Sequence, residues 1–355
     1  TMEKVDNDNL INNIEKLSVE EESLQVKRKL ASLQTVAEVT PVRLDPNFEA
    51  AKVLGWQVIV PKGQFKPGDR VVYCEIDCQL PDERWCQTLE FYDYKVSSVY
   101  IAGELSQGFI AHIDEVVKNN SDLQIGHDLT EDLEVTKYDE EEKASSYIDS
   151  WKFPVHVLPF TDEPRVQSEP KYLKAFEGKP YVATIKYDGT SSTFLLNPND
   201  TSELWACSRN KLLNPKKKDD YWKIAEKYKI KEKLSANPDL AIQGEIYGPG
   251  IQKNLLGVKD KSLAVFNIYS ISQKRSLDYD EMVSACEKMC LPPVKLFERG
   301  DSFKYSLEDL HGLVKGNYEG TENQREGLVF RVAQNWYTPI LRFSFKIISN
   351  DFLIK

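Results

Sequence analysis

At 355 residues, 41% hydrophobic and 29% charged, the sequence is long enough for two compact domains of a globular protein. Its net charge of −10 argues against a chain that grips nucleic acid with its whole surface, so any such contact must rest on a local patch. No apolar run reaches bilayer length and the first residues are polar and acidic, which predicts an intracellular protein, cytoplasmic or nuclear, with no membrane partner.

In chain order, residues 1–25 read as a polar tail. Residues 26–135 carry short β-branched and aromatic runs, Val36–Val39, Trp56–Val60, Val71–Ile76 and Tyr94–Ile101, separated by turns such as Lys66-Pro67-Gly68-Asp69. Short strands at that spacing predict a small closed barrel. Residues 136–150, with the acidic tract Asp139–Glu142, read as a linker. From 151 to 355 strands and helices mix without βαβ alternation, which predicts an α+β domain. Leu240–Gln243 and Leu263–Phe266 read as buried strands, and Tyr221–Leu234 and Tyr279–Met289 as helical. The six cysteines lie scattered, with none of the four histidines beside them at zinc spacing, so they read as free thiols.

The second domain holds the chemistry. Lys186 stands between the apolar runs Tyr181–Thr184 and Thr193–Leu196, where one predicted strand turns into the next. Asp188 can bind a cation or orient the amine, and Gly189 allows a close backbone approach to a ligand. A lysine attacks phosphorus only when neutral, so its pKa must fall through burial or neighbouring cations. Attack on a nucleotide α-phosphate also needs basic side chains and a divalent metal. Asp188, Glu245 and Glu326 are the candidate metal-holding acids, through water because Mg²⁺ dehydrates reluctantly. Arg209 and Lys346 are the candidate bases, and Phe266 can stack on a purine. Between Lys211 and Lys229 seven lysines interleave with Tyr221, Trp222 and Tyr228, which reads either as a nucleic-acid patch or as a solvated face with its aromatics inward.

The series Lys186-Tyr187-Asp188-Gly189, Ser208-Arg209, Glu245-Ile246-Tyr247-Gly248, Phe266, Glu326-Gly327 and Lys346 closely resembles motifs I, Ia, III, IIIa, IV and V of the covalent nucleotidyltransferases. These are DNA ligases, RNA ligases and mRNA capping enzymes. The predicted barrel ahead of the motifs, Ser191 where DNA ligases and capping enzymes usually have arginine, and the strings Gly248–Gln252 and Ser344–Asn350 resemble the RNA ligases led by an oligonucleotide-binding (OB) domain. The resemblance implies an N-terminal OB-type barrel followed by a nucleotidyltransferase domain of antiparallel sheets and helices. It further implies ATP with Mg²⁺ or Mn²⁺, a lysyl-AMP at Lys186, transfer of AMP to a 5′-phosphate, and sealing by a 3′-OH. Arg209 would contact the nucleotide or the phosphate end, and Lys346 the α-phosphate. The implied partner is RNA, as free ends, a nicked duplex or an RNA/DNA hybrid, bound by a monomer. The alternatives are a DNA ligase or capping-type enzyme, and a non-catalytic RNA-binding protein.

Two departures stand out. Ser97–Ala102 lacks the lysines and arginines of comparable barrels, and Ser344 occupies the first of two lysine positions in motif V, with Arg342 the candidate substitute cation.

Overall fold

The computed structural model describes residues 28–138, 150–333 and 344–354; the polar tail, the acidic tract Asp139–Glu142 and Arg342 lie outside them. The architecture is α+β, with a small barrel followed by two antiparallel sheets that face each other across a cleft.

The barrel core runs from Leu30 to Val135. Its central strand, Arg70–Cys74, lies between Ala31–Thr35 and Phe109–His112, and Val71, Val72, Tyr73 and Cys74 are fully buried. A strand covered on both faces has no solvent side to keep polar, which explains its continuous apolar run. The expected strand at Val36–Val39 is instead a junction. Val36 donates to Asp69 and Ala37 to Lys52, so the chain leaves the strand ending at Thr35 and starts another at Glu38 in a different sheet.

In the second domain the seven-stranded sheet has the order 150–152, 211–213, 200–207, 190–197, 240–247, 262–270 and 275–276. Phe194, Ile242, Ile246, Leu263 and Val265 face one way, onto the helices Asp220–Lys227, Ile230–Ser235 and Tyr279–Met289. Asp278 and Glu281 close a reciprocal cap at the start of the last helix, which fixes the predicted boundary at Tyr279. The helical run from Tyr221 is broken in two at Lys229, whose φ of 51° takes it out of the helix.

The four-stranded sheet has the order 296–300, 181–186, 327–332 and 344–348. Period-two alternation gives it two unlike faces. Tyr181, Ala183, Leu328, Phe330, Phe345 and Ile347 pack with Phe176 and Phe303 into an aromatic core. Thr184, Lys186, Val329, Arg331 and Lys346 take the other face, toward the seven-stranded sheet. The strands 181–186 and 190–197 are therefore not a hairpin: the turn holding Lys186 to Gly189 carries the chain from one sheet to the other.

Barrel and second domain dock through backbone and side-chain hydrogen bonds. The Gly55 amide donates to Gln167 O at 2.8 Å and the Trp56 indole to Ser168 Oγ at 3.2 Å. A Cβ on Gly55 would lie 2.8 Å from the Gln167 backbone, so only glycine permits this approach. Five of the six cysteines are buried within these cores, and Cys290 is exposed.

Candidate active site

Register alone brings the nucleophile candidate and its partners together. Lys186 pairs with Gly327, the residue after Glu326, and Val329 pairs with both Thr184 and Lys346. On the facing sheet Ser191 pairs with Glu245. The result is a narrow slot of ≈ 80 Å³ between the sheets, lined by Lys186, Arg209, Glu245, Phe266 and Lys346, with Ile185, Val294 and Val329 as apolar walls. It opens into a wider cleft of ≈ 340 Å³, where Arg28 of the barrel and Lys137, whose short strand Thr136–Lys137 pairs with the barrel's Cys78–Gln79, join Arg165, Arg209, Glu326 and Lys346.

Six of the seven predicted site residues line the slot or its mouth, and Asp188 does not. It is buried behind the turn, 9% exposed, where its charge still acts on Glu245. Gly189 also differs from expectation: its close approach is to protein, since a Cβ there would lie 2.3 Å from Ile246 O. The glycine seats the Lys186 turn against the strand carrying Glu245.

The Lys186 ammonium lies 2.7 Å from Glu326 Oε1. Burial opposes its charge, but Glu326 and Glu245 outweigh burial, so its pKa is raised rather than lowered as a nucleophile requires. Lys346 shows the opposite balance. Burial, together with Lys186 and Arg165, brings its pKa down to about 8 despite a 2.7 Å ion pair with Asp162. Burial pushes the Glu245 carboxyl up to about 7, with Glu326 and Asp188 adding repulsion that Lys186 and Arg209 do not cancel. Glu326 is paired with Lys186, but Glu245, Glu326 and Asp188 still repel one another, and a divalent cation would offset that charge. Among the described residues no three His, Cys, Asp or Glu side chains converge into a direct metal cage.

Several residues escaped sequence reasoning. Asp162 pairs with Lys346, and Arg165 donates to Asp77 of the barrel at 2.6 Å. The Tyr318 phenol is tied to the backbone of Lys186, Asp188 and Glu326 at once. Arg331 lines the slot directly opposite Ser344. Asp162 and Arg165 stand in the stretch ahead of motif I and had a detectable signal, the charged run Asp162-Glu163-Pro164-Arg165 after the apolar-rich segment 153–160; Tyr318 had none. Ser344 itself is fully buried and donates to Glu163. Of the lysine patch, Lys216, Lys217 and Lys218 are exposed, while Tyr221, Trp222 and Tyr228 pack on the apolar core of the domain. The inward reading of the aromatics holds, because the helix Asp220–Lys227 needs them to cover the seven-stranded sheet.

Comparison with known proteins agrees with this architecture. A family described as RNA ligase matches residues 179–348, and one described as an OB-fold domain matches residues 30–113. The RNA ligase of Naegleria gruberi with PPi superposes with a TM-score of 0.82 at 29% identity, covering 92% of this chain and 98% of that one. A lysine variant of that enzyme with ATP and Mn gives 0.81 at 29% identity, and another apo variant 0.81 at 28%, with the same coverage of both chains. Curated proteins give no match.

Proposed function

From the premise that this chain belongs to the RNA ligases with an OB domain ahead of a nucleotidyltransferase domain, we propose that it seals 3′-OH and 5′-phosphate RNA ends, at nicks in duplexes, using ATP. The observation that supports the residue roles is the convergence of Lys186, Arg209, Glu245, Phe266 and Lys346 on one slot.

Phe266 and Val329, on opposite sheets, offer the two walls of a slot for a flat base. Arg209 and Lys346 lie beyond the base walls and hold the α-phosphate near Lys186. Lys186 Nζ then attacks the α-phosphorus, a P–N bond forms, and pyrophosphate departs into the wider cleft, where Arg28, Lys137 and Arg165 receive its charge. A divalent metal held through its waters by Glu245 and Glu326 would offset those carboxylates and help Lys186 shed its proton. In the second step Lys346 and Arg209 keep the same contacts while the RNA 5′-phosphate displaces Lys186 from AMP. In the third the 3′-OH displaces AMP. The two domains together line the cleft with cations, which suits phosphates of an RNA end.

The test is incubation with α-labelled ATP and Mg²⁺ or Mn²⁺, then with nicked duplexes whose 3′-OH and 5′-phosphate strands are separately RNA or DNA. Covalent label that vanishes in Lys186→Ala, followed by sealing that requires RNA at the nick, is expected. Normal labelling of Lys186→Ala would overturn the nucleophile assignment, and equal sealing of all-DNA nicks the substrate.

A further inference from the structure

The strand Ser262–Ser270 changes phase in its middle. Val265 pairs with Gly244 and Asn267 with Gln243, which leaves Phe266 as an extra residue, a β-bulge. Ahead of it Leu263 and Val265 face the helices, and beyond it Ile268 does. The bulge thus puts two consecutive side chains on the cleft face: Phe266 lines the slot, and Asn267 donates to Gln243 Oε1 at 2.6 Å. Bulges are local kinks whose geometry a ladder does not by itself fix.

A residue from the other sheet fixes this one. Arg331, in Gly327–Val332, donates through Nη1 to the Phe266 carbonyl at 2.5 Å and approaches Glu163 Oε1 with Nη2 at 3.3 Å. Glu163, 8% exposed, also accepts from Ser344, which pairs with Arg331 in the ladder. The planar guanidinium serves the two partners from two nitrogens in a rigid fork, where an ammonium would donate from one freely rotating atom. A lysine at 344 would set a second buried cation beside Arg331, where Ser344 now donates to Glu163, so the serine and the arginine are matched.

We propose that Arg331 is a positioning residue for nucleotide binding: braced by Glu163, it holds the Phe266 bulge at a fixed separation from Val329 and thereby sets the width of the base slot. It acts through Phe266 and not on the reacting phosphates. The inference rests on the reading of Phe266 as the base platform.

The experiment is a double-mutant cycle on the full chain, with initial adenylylation rates measured over a range of ATP for the parent, Arg331→Gln, Phe266→Ala and the double variant, each checked for a cooperative melt. Loss of base stacking raises half-saturating ATP on the order of tenfold. Arg331→Gln should show such a rise with the maximal rate changed by less than about threefold, and the double variant should be no worse than Phe266→Ala. Arg331→Lys, which keeps the charge but not the fork, should fall between parent and Arg331→Gln; it carries the test if Arg331→Gln does not fold, parental half-saturation then overturning the brace. A lowered maximal rate at unchanged half-saturation, or effects that multiply in the double variant, would overturn it. A rise in Phe266→Ala beside an unchanged Arg331→Gln overturns the brace alone. An unchanged Phe266→Ala overturns the platform and the brace together.

Discussion

Tyr318 donates its phenol proton to the backbone carbonyl of Lys186 at 2.8 Å and accepts from the Glu326 amide at 3.2 Å. One buried hydroxyl thereby sets the spacing between Lys186 and the acid paired with it. Tyr318→Phe keeps the packing but strands a carbonyl and an amide, at a cost of about 1–3 kcal/mol in stability. Adenylylation should slow about tenfold, since small misplacements of a reacting group are expensive. Thermal melting and ATP labelling check both, and a parental labelling rate would remove Tyr318 from the site.

The Lys346 ammonium, at about 8, sets a pH dependence for ATP binding. Its charge is full below that value and is lost as pH rises through it. Affinity for a non-hydrolysable ATP analogue should therefore weaken between about pH 7 and pH 9. Asp162 favours the charged form, so Asp162→Asn should move the loss to lower pH. Lys346→Arg should abolish it, because a guanidinium keeps its proton throughout. Titration at several pH values reads all three; a flat profile for the parent would contradict the assignment.

Glu326 raises the Lys186 pKa and is also one of the two acids proposed to hold the metal. Glu326→Gln should raise the Mg²⁺ or Mn²⁺ concentration for half-maximal adenylylation by about tenfold or more while leaving the melt near that of the parent. The measurement is rate against metal concentration. Superimposable curves would take Glu326 out of the metal's reach.

On a duplex each engaged cation contributes a slope of about 0.9 to the dependence of log affinity on log salt. The strand Ser98–Ile101 has no basic residue and exposes Val99 and Tyr100, whereas Lys216, Lys217 and Lys218 are all exposed. Changing those three lysines to alanine in the full chain should cut the slope for nicked duplex by about two units or more. No change in slope would move the RNA away from the second domain.

Much of this was legible in the sequence because it is local or positional. The motif residues fall at strand ends and on alternating positions, and the helix Tyr279–Met289 announces its own start through Asp278 and Glu281. What was hidden depends on distant partners. Local periodicity around Lys186 suggests a hairpin, and only the pairing of 181–186 with 327–332 and of 190–197 with 240–247 shows a passage between sheets. Glu326 reverses the expected pKa shift of Lys186 from 140 positions away in the chain, a pairing no window can show. The bulge at Phe266 leaves an apolar run looking continuous, so its change of phase reads as nothing more than a buried strand.

The distribution of thiols has a practical side. Burial pushes up the pKa of Cys74, Cys78, Cys86, Cys207 and Cys286, and a thiol that stays protonated inside a core does not react. Cys290 alone is exposed, four residues before Val294 of the slot wall, and Pro292 and Val294 bond the backbone of Val265, next to the bulge. A maleimide dye added to the native protein will therefore attach at a single point, on a segment mechanically linked to the slot between the sheets, and the unmodified sequence comes ready for an optical test of whether a nucleotide enters there.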